Sequence, residues 1–431
     1  MAPHISTTAA KQRRAPPSTT TATTSGLDAG TGPVRSPQKP HPVGEVRYHG
    51  STQVLRALSV ALYFVLSSII INATQFLGAW LYFYDKDWYY AYMSWTKQSF
   101  GLFITTLCQW WSPTTIRVSG DRSVQGQLRQ RPDGRLECRF PERVVIMANH
   151  QLYTDWLYLW WIAYTNRMHG HIYIILKESL KYLPIIGPGM MFYGFIFLAR
   201  NWIKDKPRFA HRLQKLKSRH TGPLSGSAGL DPMWLLMFPE GTNLSDNGRV
   251  RSAAWAAKQS YADMKHQLLP RSTGLLYCLQ ELRGTLDWVY DCTVAYEGIP
   301  RGQFGQDIFT IRSSFIQGRP PKSVNMYWRR FALSSIPLDD AEEFDVWLRA
   351  RWVEKDELME LYMQTGRFPS DWEGEASEVG KEGAQAAGYI ETEVQQAHWW
   401  EVGQIFVVVA LVALVLHQAS RFWRWAASFV R

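Results

Sequence analysis

The stretch VVIMANHQLYTDWLYLWW, Val144 to Trp161, sets two apolar runs on either side of a short polar interval. The first run is rich in β-branched residues and reads as a buried strand. The second opens on Asp155 and reads as a helix. His150 and Asp155 stand five positions apart, and on an uninterrupted helix such a pair points about 140° apart and cannot meet. A strand that ends at Asn149, with His150 in the turn before a helix, lets the acid fold back to the imidazole. A carboxylate bonded to one ring nitrogen fixes the tautomer, and the other nitrogen is then free to take a proton from a hydroxyl. That is the His–Asp half of a triad whose nucleophile comes from a substrate. The plainer alternative is a strand-end histidine beside a helix-capping acid.

Outward from this stretch, RVVIMAN, HIYIILK, WLLMFPE and DCTVAY read as strands, each followed by a turn or a helix start. Strands alternating with helices predict an α/β fold, a mixed sheet flanked by helices, over residues 117–340. Residues 342–364, within an extension spanning 341–368, have the pattern of an amphipathic, charge-laced helix. Residues 369–397 are acidic and rich in Gly and Ala, a linker. Residues 1–52 are rich in Ser, Thr, Pro and Gly with scattered cations. Such a tail buries too little apolar surface to offset chain entropy. No secretory leader is expected, because the first fifty residues lack an apolar segment.

Ala57 to Tyr84 carries no charged side chain and exceeds the roughly 20 apolar residues of a membrane-spanning helix. Gln98 to Ile116 is a weaker segment that spans, re-enters or lies in the interface, so residues 53–116 read as membrane helices or a hairpin. Cations dominate the tail before the first span, which places the N-terminus in the cytosol. Val402 to Leu416, inside a C-terminal membrane-associated segment of residues 398–431, is short for a full span, and an interfacial or re-entrant anchor fits it. The chain carries 47 Lys and Arg against 37 Asp and Glu, a net charge of +10, and 20 Trp. The surplus suits an anionic partner, and Trp favours the membrane interface. No nucleic-acid motif accompanies it, so a phospholipid bilayer is favoured over DNA or RNA. Cys108, Cys138, Cys278 and Cys292 make no CxxC pair and no zinc spacing, so neither a metal nor a disulfide scaffold is expected.

A second constellation lies in LLMFPEGTNLSDNGRVR. An apolar strand ends in Pro239-Glu240-Gly241-Thr242, where glycine permits close backbone approach and amide and hydroxyl donors follow. An ordinary strand-to-loop turn is the plainer reading. Between the two constellations, the apolar run Met190 to Ala199 closes on Arg200. It reads as a buried strand with a charged end, or as a wall with a guanidinium aimed at a phosphate. Further on, VYDCTVAYEGIPRG ends a strand in Gly298-Ile299-Pro300.

These four blocks, in this order, resemble the glycerophospholipid acyltransferase family, also called PlsC-like or 1-acylglycerol-phosphate acyltransferase. NHxxxxD is matched by Asn149, His150 and Asp155, and FPEGT in full by Phe238 to Thr242. The family's apolar run closing on arginine is matched by Gly194 to Arg200, although Ala199 stands where an acid or polar residue is usual. The strand leading to proline is matched by Val294 to Pro300. The likeness covers roughly residues 55–370. FPEGTNLSDNGRVRS, LLPRSTG and DCTVAYEGIP are most similar to the lysocardiolipin and lysophosphatidylinositol acyltransferase branch.

The resemblance implies a glycerol-3-phosphate acyltransferase-like α/β fold and an acyl-CoA-dependent lysophospholipid acyltransferase. His150 would be the general base and Asp155 its partner. Arg200, Glu240, Gly241 and Thr242 would hold the acceptor's glycerol-phosphate, with Asn149, Phe238, Pro239 and Pro300 in support. Acyl-CoA would be a co-substrate, with no bound cofactor and no metal. The implied home is the endoplasmic reticulum with the catalytic domain facing the cytosol, a mitochondrial membrane being the alternative. Lysophosphatidic acid, lysophosphatidylinositol and lysocardiolipin all remain open as acceptors. Two competing readings are a CoA-independent transacylase of the same fold and a non-catalytic, membrane-anchored protein that binds anionic lipid.

Overall fold

The computed structural model of this chain describes residues 41–218, 229–371 and 390–429. Residues 1–40 of the tail, and 372–389 of the stretch read as a linker, lie outside the described residues. The first half contributes strands β1 (Thr115–Gly120), β2 (Leu128–Gln130), β3 (Leu136–Cys138), β4 (Arg143–Ala148), β5 (Ile172–Lys177) and β6 (Ile196–Leu198). The second half adds β7 (Met233–Met237), β8 (Trp288–Tyr296), β9 (Ser323–Ala332) and β10 (Ile390–Glu393). β2 and β3 form a separate hairpin, and the others form one sheet in the order β10-β1-β9-β8-β4-β7-β5-β6. Its centre is parallel, and β8–β9 and β1–β10 are antiparallel.

All six residues of β4 are buried, as are all five of β7. Side chains alternate between the two faces of a strand, and the core divides accordingly. Val144, Ile146, Ala148, Trp234 and Leu236 join one cluster, while Val145, Met147, Leu235 and Met237 join the other. A sheet covered on both faces needs continuous apolar strands, which is why RVVIMA and MWLLM carry no polar alternation.

Helices α1 (Gly50–Gly78), α3 (Lys86–Trp111) and α4 (Asp155–Thr165) contribute to the first cluster, with the single turn α2 (Leu81–Tyr84) joining α1 to α3. After the short α5 (Ile186–Phe192) come α6 (Trp202–Leu216), α7 (Asp246–Gln259) and α8 (Ser272–Leu282), which contribute to the second. The run Met190 to Ala199 is therefore not one strand. It begins in α5, turns at Gly194 (φ 72°) and only then forms β6.

Past the single turn α9 (Gly305–Ile308), α10 (Ala341–Thr365) crosses behind β8. Its Lys355 is fully buried, with Nζ 2.6 Å from Asp291 Oδ1 and donating to Cys292 O at 2.6 Å. Arg329 Nε holds the other Asp291 oxygen at 2.7 Å. The helix read as an amphipathic, charge-laced extension is thus pinned to the sheet by a buried charge network.

The membrane expectations change in two places. In the segment Gln98–Ile116, Leu102, Phe103, Ile104, Leu107 and Cys108 of α3 are buried against protein rather than exposed, and Thr115 already belongs to β1. The hydroxyls of Ser99, Thr105 and Thr106 donate to carbonyls one turn back, so they enter that interior satisfied. α1 packs antiparallel to α3. Arg56 Nη2 donates to Trp111 O at 2.7 Å, and Tyr92 Oη donates to Thr74 O at 2.8 Å. At the C-terminus, a 3₁₀ turn (Trp399–Phe406) runs into α11 (Val407–Ser428). The helical run therefore continues past Leu416, through Arg421 and Arg424. Gly50–Tyr84 and Trp399–Ser428 are both long and apolar enough to cross a membrane.

Two boundaries also move. Residues 50–52 belong to α1 rather than to the tail. Ile390–Glu393, inside the stretch read as a linker, is a sheet strand, tied to β1 by Arg117 Nε–Glu391 Oε2 at 2.7 Å.

Removing one partner of a buried ion pair leaves the other charge unmatched. Lys355→Ala is expected to lower unfolding free energy by about 3–5 kcal/mol, read as an earlier denaturation midpoint in detergent. A loss below about 1 kcal/mol would show that Arg329 alone satisfies Asp291.

Candidate active site

β4 and β7 are parallel neighbours in register, Met147 opposite Met237, so the residues after both strands leave the sheet side by side. This brings the Asn149–Asp155 turn against the Phe238–Thr242 turn. Asn149 acts as the sheet's last rung. Its side-chain amide donates to Val294 O at 3.0 Å, and its carbonyl accepts from Val294 N at 2.7 Å. The next residue, His150, is held by its backbone on both sides: its N–H donates to Glu240 Oε1 at 3.1 Å and its carbonyl accepts from Leu244 N at 2.7 Å. Its ring stacks on Phe238, centroids 4.2 Å apart at 22°.

Nδ1 of His150 lies 2.8 Å from Asp155 Oδ2. Asp155 is the first residue of α4 and has no solvent exposure. Its carboxylate also accepts from Leu152 N, at 3.1 and 3.0 Å, and from the Tyr296 hydroxyl. Burial, with Asp155 beside it, pushes the Tyr296 phenol far above its usual range and keeps it a proton donor. Among the described residues nothing bonds Nε2 of His150, and the side chain is 18% exposed. A histidine oriented through one nitrogen and open at the other can accept a proton from a bound hydroxyl.

Glu240 faces inward. Its oxygens accept from His150 N and, at 3.3 Å, from Leu268 N. Burial pushes its carboxyl up to about 8, against the pull of those two amides. It therefore braces the histidine loop rather than offering a free carboxylate to a ligand. Gly241, at φ 73°, turns the chain back so that its N–H meets Phe238 O at 2.9 Å. Arg200 Nη2 donates to Gly241 O at 2.8 Å. Pro239 O accepts from Arg271 N at 2.8 Å.

Arg200, Arg251 and Arg271 border one cavity of about 450 Å³, with Gly241, Thr242 and Trp255 on its walls. The guanidinium of Arg200 is depressed by partial burial and by the charges of Arg271 and Arg251, the mark of three cations sharing one space. Sequence reading found Arg200 but missed Arg251, Arg271 and Tyr296. The two arginines lie inside the quoted stretches GRVRS and LLPRSTG, yet nothing in their spacing ties them to Arg200. Pro300 stands apart from this cavity, bordering a hollow with His266 and Arg301. The four cysteines are buried and unbridged, and burial raises their thiols. Among the described residues no group of His, Cys, Asp and Glu is arranged to hold a metal ion.

Residues 116–297 match the family described as Acyltransferase, and residues 314–388 match Acyltransferase C-terminus. An uncharacterized acyltransferase of Schizosaccharomyces pombe is 36% identical over 315 residues, 73% of this chain and 87% of its own. The chain belongs to the acyltransferase family. A 2-acyl-1-lysophosphatidylinositol acyltransferase of Saccharomyces cerevisiae is 38% identical over 305 residues, 64% of this chain and 76% of that protein. A human 1-acyl-sn-glycerol-3-phosphate acyltransferase gamma is 29% identical over 326 residues, 74% of this chain and 77% of its own. The first matched region holds the His150–Asp155 pair and all three arginines of the cavity. Pro300 falls just outside it.

Two outcomes test the site. His150→Ala and Asp155→Asn should each lower acyl-transfer kcat by roughly 10²–10⁴-fold while leaving the melting temperature of the purified protein nearly unchanged for His150→Ala. Glu240 gives a signed pH effect. Its folded pKa of about 8 lies above the ordinary carboxyl value of 4.5, so between these pH values the folded state holds a proton that the unfolded state has released. Stability must therefore fall as pH rises through that window. Denaturation midpoints taken across it should fall less in Glu240→Gln than in the unsubstituted protein.

Proposed function

We propose that this acyltransferase moves a fatty acyl chain from acyl-CoA to a free glycerol hydroxyl of a lysophospholipid, with lysophosphatidylinositol as the preferred acceptor. The observation that carries this reading is the partly exposed His150, held by the buried Asp155 and set beside a cavity walled by three arginines. Nε2 of His150 removes the proton from the acceptor hydroxyl. The oxygen attacks the thioester carbonyl, the C–S bond breaks as the ester forms, and the departing CoA sulfur takes the proton back from the imidazolium. Asp155 keeps the proton on Nδ1 and stabilises the charged ring. No protein nucleophile is used, in keeping with cysteines that are buried.

The acceptor phosphate lies among Arg200, Arg251 and Arg271, where charge-assisted hydrogen bonds are strongest and planar guanidiniums pair bidentately. The main-chain turn at Gly241-Thr242 borders the same space, and Glu240 keeps that turn in place. A cavity of about 450 Å³ with Thr242 and Trp255 on its walls exceeds what a bare phosphate fills, which favours a phosphate bearing a polyol. Among the relatives, the yeast protein at 38% identity is named for 2-acyl-1-lysophosphatidylinositol, and a chicken relative at 32% for lysocardiolipin. The two apolar helices hold the enzyme to the bilayer from which such lipids come, and the endoplasmic reticulum, cytosolic face, is the proposed place of action.

The test is an acyl-transfer assay on purified protein with a panel of lysolipids and acyl-CoAs. Lysophosphatidylinositol should give the highest kcat/KM. Arg271→Ala should raise KM for the lysolipid about tenfold or more, as expected for the loss of one charged hydrogen bond, with a smaller change in kcat. Product that forms from a donor phospholipid without acyl-CoA would replace this reading with a transacylase, and unchanged activity in His150→Ala would end the catalytic reading altogether.

A further inference from the structure

A second cavity, of about 530 Å³, lies at the opposite end of α4 from Asp155. The helix has 11 residues, which at 1.5 Å per residue separates its ends by roughly 16 Å. The walls come from α3, the last turns of α4, the turn that follows it, the β2–β3 hairpin, the end of β10 and the segment leading into α11. None of these residues belongs to the site described above.

The turn after α4 closes with two capping bonds, Arg167 N to Tyr164 O at 2.9 Å and Met168 N to Ala163 O at 2.7 Å. In such a cap the residue at Arg167 takes a left-handed conformation that normally selects glycine. Arg167 holds it at φ 58°. The chain thus accepts local strain to keep a guanidinium on this wall, beside Arg131 and Arg135 of the hairpin. His169 borders the same space, and its buried Nδ1 has no hydrogen-bond partner among the described residues. Burial, with His171 nearby, pushes this ring down to about 3, so it stays neutral.

The opposite wall carries Trp400 and two carboxylates. Glu401 accepts from the Tyr164 hydroxyl at 2.5 Å, whereas Glu393 makes no such bond to the cavity's other side chains. Trp400 is 60% exposed and stacked on His398, and Trp399 beside it is 86% exposed. These two indoles stand just before α11, where a membrane helix would meet the head-group layer. The cavity therefore combines three guanidiniums, two carboxylates and an indole face beside the helix read as a membrane segment.

We propose that this cavity binds the head group of a zwitterionic glycerophospholipid of the phosphatidylethanolamine type, a resident lipid distinct from the substrate. Arg131, Arg135 and Arg167 take the phosphodiester, and Glu393 with the face of Trp400 takes the ammonium. The placement rests on α11 entering the bilayer, and it does not depend on which lysolipid is acylated.

The test uses the full-length protein, delipidated in detergent micelles and titrated with dioleoylphosphatidylethanolamine or dioleoylphosphatidylglycerol, with bound lipid counted by native mass spectrometry. One phosphatidylethanolamine should bind per chain, more tightly than phosphatidylglycerol. Arg131→Ala and Arg167→Gly should each weaken it about tenfold, the loss of one charged hydrogen bond. Arg167→Gly should leave the melting temperature unchanged or raised, because glycine relieves the positive φ. Glu393→Gln should narrow the preference over phosphatidylglycerol, and acyl transfer should persist in all three variants. Unchanged lipid affinity in Arg167→Gly overturns the proposal. Equal or tighter binding of phosphatidylglycerol by the unsubstituted protein overturns the zwitterionic assignment. Displacement of the lipid by equimolar glycerophosphoethanolamine would make the ligand a soluble phosphodiester and overturn the membrane source.

Discussion

A carboxylate with no access to water must be met by donors on every side, and Asp155 is met by an amide, a phenol and an imidazole. That requirement sets much of the local architecture. Leu152 N supplies one donor only because the chain turns tightly between β4 and α4. Tyr296 supplies another only because β8 runs beside β4. The imidazole of His150 completes the set. An aspartate here is also favoured by its place at the first turn of a helix, where free amides and the helix dipole attract negative charge. The charge that folding must satisfy is the same charge that orients the histidine, so a structural demand and a chemical one are met together.

The sheet converts this local arrangement into a site. Because β4 and β7 run parallel, their C-terminal ends open on the same edge, the place where α/β folds generally hold ligands. The turn after one strand carries His150, the proposed base, and the turn after the other carries the glycine and the neighbouring cations. Glu240 links the two by accepting a hydrogen bond from the histidine's own N–H. Burial on both faces of the sheet keeps these strand ends from shifting, and the Lys355–Asp291–Arg329 network fixes the helix behind them.

The parts legible in the sequence were those governed by local rules. Continuous apolar runs marked β4, β5, β7 and β8, and β4 and β7, covered on both faces, leave no polar alternation to confuse. The His150–Asp155 spacing excluded a continuous helix and so required a turn, and the structure has that turn. Contacts across long separations were not legible. Arg251 and Arg271 reach Arg200 only through the packing of α7 and α8, and Tyr296 reaches Asp155 across 141 positions. Glu240 looked like a ligand because it borders a glycine turn, yet the fold directs its carboxyl inward. Gln98–Ile116 reads as a membrane segment because its composition is apolar, but composition does not show that much of it packs against protein. β10 was hidden in an acidic stretch because an edge strand of four residues has too short a pattern to read.

If His150 activates an oxygen brought by the acceptor, as proposed, no acyl group ever rests on the protein. The most direct measurement mixes stoichiometric purified protein with acyl-CoA in the absence of any lysolipid and follows free CoA. No release beyond slow hydrolysis is expected, with release beginning when lysophosphatidylinositol is added. A burst of one CoA per protein, with the acyl chain retained covalently on the polypeptide, would contradict it.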